Sequence, residues 1–420
     1  MSTFQPQEIG DFIYLDHAAT TPCSPQARAA ALPYESELFF NPSALYGPAV
    51  AARRAVEQAR GVLAASFGVP LRRAVFTSGG TESNLLAILG TANRRQKPGR
   101  LITTATEHPS VLECFAYLRE RGHEVVVVPV ERSGKVDENA YAAALTPDTL
   151  LVSVHHVNNE TGAIQPIERL CAMLKAVSPR GFFHSDGVQA FLRLPMPQNL
   201  DFYSVSAHKI GGHKGVGGLM VPANAHLPGV RPGGGQEFGL RSGTENVAGI
   251  AGFGAAVSVY KGDALATCKA IFWKGVCHLS GVVANGPEPG DGAAHCLKLP
   301  KGAACAPPSG DDAARSSKPA DGVVHGPKLA EGAPHILNLS VCGLRGETLL
   351  HVLESHGVLA GIGAACSAHK QGGSGVLRAM KLPEATIEGA VRISFGPTTT
   401  PEQAQSAAEI FCQSVGELRP

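Results

Sequence analysis

No two of the ten cysteines form a Cys-x-x-Cys pair, and none is spaced with histidine as a zinc site requires. In a large chain without a signal segment, such scattered cysteines read as reduced thiols rather than a disulfide framework. Most of them, such as Cys114 and Cys171 inside helical patterns, read as small core side chains. A dominant charge is also missing. The formal net charge is +1 and no long run of either sign occurs, so no nucleic-acid or anionic-membrane partner is expected. No apolar run is long enough to span a bilayer, and Met1-Ser-Thr-Phe-Gln-Pro-Gln-Glu8 has neither the basic nor the hydrophobic part of a secretory signal. The expected location is cytoplasmic. What is present is 420 residues, 44% hydrophobic and 17% charged, enough for one large domain with a smaller companion.

Along that chain, strand and helix patterns alternate. Residues 73–77 read as a strand, followed by a Gly-Gly turn and a helix; 101–104, 150–154 and 181–184 read as further strands. Helices are expected over 48–67, from Pro109 with Val111, Leu112, Phe115 and Leu118 on one face, and over 167–177. Val125 to Val130 is a continuous apolar run, the mark of a strand buried in a parallel sheet. The alternation implies an α/β fold with a doubly wound sheet and a ligand site at the strand carboxyl ends.

The most informative stretch is Tyr203-Ser-Val-Ser-Ala-His-Lys209-Ile-Gly-Gly, a strand delivering a lysine into a glycine-rich return. Glycine removes the side chains that would keep a ligand away from the amine. A partly desolvated lysine is nucleophilic enough to form a Schiff base, although a turn lysine could also clamp a phosphate by charge alone. Upstream, Gly181-Phe-Phe-His-Ser-Asp186-Gly-Val-Gln189 ends a strand on an acid, and Phe76-Thr-Ser-Gly-Gly80-Thr81 opens a helix whose N–H groups suit a phosphate. Amine, acid and phosphate cradle together suit pyridoxal phosphate, whose ring nitrogen needs an acidic partner to act as an electron sink.

The chain resembles the NifS/IscS-like cysteine desulfurases, in the class V aminotransferase group of fold-type I pyridoxal-phosphate enzymes. The stretches that carry the resemblance run in order from residue 14 to about 396. They are Tyr14-Leu-Asp-His-Ala-Ala-Thr-Thr-Pro22, Asn41-Pro-Ser, Thr77-Ser-Gly-Gly-Thr-Glu-Ser-Asn84, Glu107-His108, Val157-Asn-Asn159-Glu-Thr-Gly162, Asp186-Gly-Val-Gln189, Ser206-Ala-His-Lys209, Arg241-Ser-Gly-Thr244 and Gly363-Ala-Ala-Cys366. The resemblance implies a large, mainly parallel sheet domain (15–260) binding pyridoxal 5'-phosphate. It also implies a smaller α+β domain (1–14 and 261–420) carrying a catalytic cysteine loop.

By the same resemblance Lys209 links to the cofactor and His108 stacks on its ring. Asn159 and Gln189 would hold the ring hydroxyl oxygen and Asp186 the ring nitrogen. Gly80, Thr81, Ser206 and His208 would bind the phosphate, with Thr244 completing the phosphate site of a neighbouring subunit in a homodimer. Cys366, in a small, glycine-rich and polar segment, would take sulfur from L-cysteine as a persulfide. That sulfur would pass to an acceptor protein, an Fe–S scaffold or a tRNA-thiolation protein. Arg392 on a terminal strand suits a bidentate grip on the substrate carboxylate, with Asn41 helping. The Gln371-Gly-Gly-Ser-Gly375 run departs from the usual proline-containing version of the loop.

A second departure is a stretch rich in glycine, proline and alanine. Gly286-Pro-Glu-Pro-Gly-Asp-Gly-Ala-Ala-His295 is echoed by Gly326-Pro-Lys-Leu-Ala-Glu-Gly-Ala-Pro-His335, so 288–325 reads as an inserted surface loop, a local duplication. His295, Cys296, Cys305 and His325 lie there without ligand spacing, and no metal is expected. Two other activities fit the same motifs: a selenocysteine lyase, and a non-catalytic binding subunit on the same fold.

Overall fold

A computed structural model describes residues 12–95, 97–223, 227, 230, 232–287, 332–363 and 373–419. The strands, in chain order, are β1 (Ile13–Tyr14), β2 (Ala74–Thr77), β3 (Arg100–Thr104), β4 (Glu124–Val128), β5 (Thr149–Ser153), β6 (Phe182–Asp186), β7 (Phe202–Ser206), β8 (Gly217–Met220), β9 (Val282–Ala284), β10 (Ile336–Val341), β11 (Val358–Leu359) and β12 (Ala390–Ser394). Seven of them form one sheet in the order β2-β8-β7-β6-β5-β3-β4. Only β8 runs against the rest, pairing antiparallel with both β2 and β7. The ten residues between β7 and β8 are too few for a crossover helix, so the chain has to turn straight back.

Side chains alternate across each strand, and the two faces pack on different helices. Phe76, Ile102, Val152, Phe183 and Tyr203 belong to the core that helices Gly47–Phe67, Ile167–Val177 and Val247–Val259 close. Their neighbours Leu101 and Leu151 face helices Gly80–Ala92 and Pro109–Glu120 through Ile88, Val111 and Phe115. Each fully buried Leu or Phe contributes roughly 1.5–3 kcal/mol, which is what holds the strand ends in place. Glycine matters where layers touch closely. At Gly187 a Cβ would lie 2.0 Å from Cζ of Tyr203, so only glycine at that position leaves room for the Tyr203 ring.

The Val125–Val130 expectation needs correction. Among the described residues β4 is the edge of the sheet, paired only with β3, and Val127 is 42% exposed. An apolar run encodes strand conformation, but pairing with distant segments decides whether the strand is central or marginal.

A second core gathers Phe272, Trp273, Leu339, Phe395 and Phe411, where helices Leu265–Val276, Gly346–Ser355 and Pro401–Glu417 cover the antiparallel sheet β12-β10-β9. The N-terminal strand β1 joins this part of the chain by pairing with β11. Beyond β1, Ala18 N–H donates to Ser394 Oγ (2.9 Å), and Thr21 Oγ1 donates to the His208 carbonyl (2.8 Å). The turn after β1 thus bridges the two sheets.

Candidate functional site

A cavity of about 280 Å³ opens where β2, β5, β6 and β7 end and the turn after β1 crosses. Lys209 closes a short 3-10 turn that follows β7. Its Nζ donates to the carbonyls of Ala18 and Ala19, both at 2.6 Å, and Arg193 Nη2 donates to its backbone carbonyl. Burial, then the charges of Arg392 and Arg193, lower the amine to about 8 against the opposing pull of Asp16 and Asp186. Such an amine is partly unprotonated near neutral pH, as a nucleophile must be.

Helix Gly80–Ala92 begins at the wall of the same cavity. Its first N–H groups have no partner within the helix, so the turn presents donors and the positive end of the helix dipole. Gly79 has φ +152°, and a Cβ on Gly80 would stand 2.7 Å from Val188 Cγ2. Thr81, Ser206 and His208 line the same cavity. His208 is held near 4, mainly by burial and then by Lys209 and Lys214, and its Nδ1 lies 3.1 Å from Thr20 Oγ1.

Asp186 ends β6 with both carboxylate oxygens held: Val188 N–H donates to Oδ1 (3.0 Å) and Asn84 Nδ2 to Oδ2 (2.8 Å). The same Asn84 amide donates to Ser110 Oγ (2.9 Å), and Ser110 Oγ lies 2.8 Å from His108 Nδ1. His108 caps helix Pro109–Glu120, its Nδ1 accepting the Ser110 N–H (3.1 Å), so the bare nitrogen is Nδ1. Burial lowers its pKa and keeps the ring neutral. The plain helix-capping role and the place in the cavity therefore coexist in one residue.

Asn159 lines the cavity and its carbonyl accepts from Arg392 Nη1 (3.0 Å). Asn158 shapes that turn, its Oδ1 taking the N–H groups of Glu160 and Thr161 at 2.9 Å each. Gln189 is buried and donates from Nε2 to Ala18 O (2.9 Å). Arg392, on β12, is 2% exposed and reaches the cavity with Nη2 2.6 Å from Asp16 Oδ1. A Cβ on Gly361 would lie 2.8 Å from that Asp16 oxygen, so glycine there makes room for the pair.

Two of the expected residues are not brought to this cavity by their own chain. Asn41 and Thr244 are exposed and share a separate groove with Phe39 and Phe40. Cys366, the 288–325 insertion and its His295, Cys296, Cys305 and His325 lie outside the described residues.

Residues 13–270 match the aminotransferase class-V family. The chain belongs to that family. It is 36% identical over 417 residues to the putative cysteine desulfurase IscS 1 of Bacillus subtilis, covering 97% of this chain and 99% of that protein. With cysteine desulfurase IscS of Dictyoglomus turgidum it shares 33% identity over 418 residues, 97% of this chain and 95% of the relative. The solved structure of SspA in complex with cysteine is 30% identical, covers 92% of this chain and 99% of that one, and superimposes with a TM-score of 0.75. Within the class-V aminotransferases the chain groups with the cysteine desulfurases, α/β enzymes of fold-type I that depend on pyridoxal 5'-phosphate.

This class-V site fits that cofactor on its own geometry. A helix N-terminus and an amine lowered to about 8 line one cavity, and an acid has both oxygens fixed near a neutral imidazole. The glycines that shape the turn between β2 and helix Gly80–Ala92 are tested by Gly217→Ala. Its Cβ would stand 2.5 Å from Gly79 Cα and 2.7 Å from Val205 O, contacts with backbone that cannot swing aside. Overpacking of this kind costs about 1–3 kcal/mol. Titration of the cofactor-free protein is expected to show roughly tenfold weaker pyridoxal-phosphate binding, about 1.4 kcal/mol; unchanged affinity would mean that the turn does not bear on the phosphate.

Reading the sequence missed Asn84 and Ser110 as the link between Asp186 and His108, and also His155 on the cavity wall. His155 accompanies Glu107, whose Oε1 accepts its backbone N–H and lies 2.9 Å from its Nδ1. Asn84 and Glu107 stand inside the matched motifs, so a signal was there; only their partners, distant in sequence, give it meaning.

Buried histidines in this class-V fold also set its acid tolerance. Burial holds His17, His156 and His184 near 4, each below the ordinary 6.5 of an unfolded histidine. The unfolded chain therefore takes up these protons first, and stability present above 6.5 is lost as pH falls from 6.5 toward 4. At about 1.36 kcal/mol per unit, each contributes on the order of 3 kcal/mol across that window. The melting temperature is expected to drop by roughly ten degrees or more between pH 7 and pH 4.5. A flat profile would show these rings already charged in the folded chain.

Proposed function

We infer that the protein is a cysteine desulfurase, converting L-cysteine to L-alanine and carrying the sulfur as a persulfide on Cys366. The observation that carries this reading is that Lys209 Nζ and the Arg392 guanidinium open onto one cavity, beside the helix terminus and Asp186. Bound pyridoxal phosphate supplies an electron sink for the bond changes at the substrate carbons. Gly80, Thr81, Ser206 and His208 would hold its phosphate, and Asp186, braced by Asn84, would hold the ring nitrogen. His108 would lie against the ring, while Asn159 and Gln189 would take the ring oxygen.

Arg392, fixed on one edge by Asp16 and the Asn159 carbonyl, grips the substrate carboxylate. Lys209 would move protons between the substrate carbons, a task its lowered basicity suits. The Cys366 thiolate attacks the substrate sulfur; an S–S bond forms as the C–S bond breaks, and the electron pair released to carbon is finally protonated to give alanine. Gly361, which bridges to Arg392, stands two residues ahead of the family motif Gly363-Ala-Ala-Cys366 in the sequence, and this supports the assignment.

The working form is a homodimer. Asn41 and Thr244 then serve the partner's cavity, which accords with their exposure beside Phe39 and with the exposed Leu45 and Tyr46. The large domain comprises 15–260, the smaller one 1–14 and 261–420, in keeping with the two separate cores. The persulfide passes to an acceptor protein for Fe–S assembly or tRNA thiolation in the cytoplasm.

The decisive experiment incubates the purified protein with L-cysteine, quantifies alanine, and weighs the peptide containing Cys366. One added sulfur atom together with stoichiometric alanine is expected. Alanine without sulfur on that peptide, or turnover restricted to selenocysteine, would overturn the reading.

A further inference from the structure

His335 immediately precedes β10 and has no solvent exposure. Its carbonyl accepts the Phe395 N–H (2.9 Å), which ties it to the second sheet. Its ring points to the other part of the site: Nε2 lies 3.2 Å from Gln189 Oε1. An amide oxygen can only accept, so the imidazole proton must be on Nε2. The Gln189 amide is fixed from its other end as well, because Nε2 donates to Ala18 O, an acceptor that could not face Oε1 without repulsion. Ala18 O also takes the Lys209 amine at 2.6 Å. A single line of contacts therefore runs from the second sheet through His335, Gln189 and the Ala18 carbonyl to Lys209.

The imidazole is committed to this one contact. His335 Nδ1 is buried with no hydrogen-bond partner among the described residues. Burial, and then the charges of Arg193, Lys269, His17 and Arg392, hold the ring neutral. A neutral ring has one N–H, and it goes to Gln189. One Gln189 N–H is spent on Ala18, which leaves the other for the cavity that Gln189 lines. Without the histidine donor, the amide oxygen would gain by turning toward water or ligand in the cavity, placing an acceptor where a donor had been.

We propose that His335 is a positioning residue, holding the Gln189 amide with its oxygen turned away from the cavity and an N–H turned toward it, so that the ring oxygen of the bound cofactor meets a donor. The inference rests on the pyridoxal-phosphate reading of the cavity.

The test compares holoenzymes carrying His335→Leu, His335→Gln, Gln189→Leu and the His335→Leu/Gln189→Leu pair. Each is measured without substrate by the visible maximum of the bound cofactor and its affinity for the cofactor-free chain. His335→Leu is expected to move the maximum and weaken affinity roughly tenfold, the size of one lost buried donor. His335→Gln, whose amide N–H can donate to Gln189 Oε1, is expected to restore both. The double variant is expected to match Gln189→Leu alone, since the histidine acts only through that amide. An unmoved maximum in His335→Leu, or additive losses in the double variant, would overturn the proposal and leave His335 a packing residue. Should His335→Leu fail to fold, His335→Asn, which is polar but too short to reach Gln189, is read in the same way. Failure of the unaltered chain to bind pyridoxal phosphate would instead remove the reading of the cavity itself.

Discussion

Lys209→Ala is expected to leave no covalent attachment of cofactor to the chain and to abolish turnover. Lys209 is the amine that lines the cavity, held by the Ala18 and Ala19 carbonyls and lowered to about 8 by burial. Borohydride reduction should fix cofactor to the native chain at Lys209 and to nothing in the variant, with the visible band of the linked cofactor lost. The turn after β2 and Asp186 are untouched, so reversible binding should persist, weakened by loss of the linkage. The pH dependence follows from the sign of the shift. Only the neutral amine attacks an aldehyde, so capture of pyridoxal phosphate by the cofactor-free chain should rise with pH and reach half its maximum near pH 8, well below the 10.5 of an ordinary lysine. A reducible linkage surviving in the variant would move the attachment elsewhere, to Lys214 first, although that side chain is exposed.

Cys366→Ser is expected to separate binding from sulfur transfer. On the proposed reading, binding rests on Lys209 and on the Arg392 guanidinium, and neither is altered. L-cysteine should therefore still change the spectrum of the bound cofactor. Alanine and sulfide production should collapse, because a serine hydroxyl is far less acidic and far less nucleophilic toward sulfur than a thiol. The loss should exceed a thousandfold, roughly 4 kcal/mol or more in the barrier. Desulfuration of L-cysteine at the native rate by the variant would show that the sulfur goes elsewhere. Activity surviving on selenocysteine alone would favour a lyase that needs no thiolate.

The two variants probe parts of the chain that differ in how legible they were. The Lys209 turn could be read directly: an apolar strand, a polar turn and a glycine-rich return are local patterns, and the structure places them as β7, a 3-10 turn and β8. Likewise Thr77-Ser-Gly-Gly80 specifies a strand-to-helix turn, because only glycine adopts φ +152° at Gly79 without strain. Helix Pro109–Glu120 was legible from its proline and its apolar spacing. Backbone chemistry of this kind acts over a few residues, so the residues themselves carry it.

Contacts between distant segments were decided only by the folded chain. Arg392 meets Asp16 across 376 residues, Asn84 meets Asp186 across 102, and His335 meets Gln189 across 146. No periodicity encodes such pairs. They arise because two sheets, each with its own core, are joined by the turn after β1 so that the ends of both fall on one cavity. The same cause turned the apolar run at Val125 into an exposed edge and left Asn41 and Thr244 away from their own chain's site. Propensity and hydrophobic pattern fix what a segment becomes, whereas the burial gained by packing one segment on another fixes where it stands and what it touches.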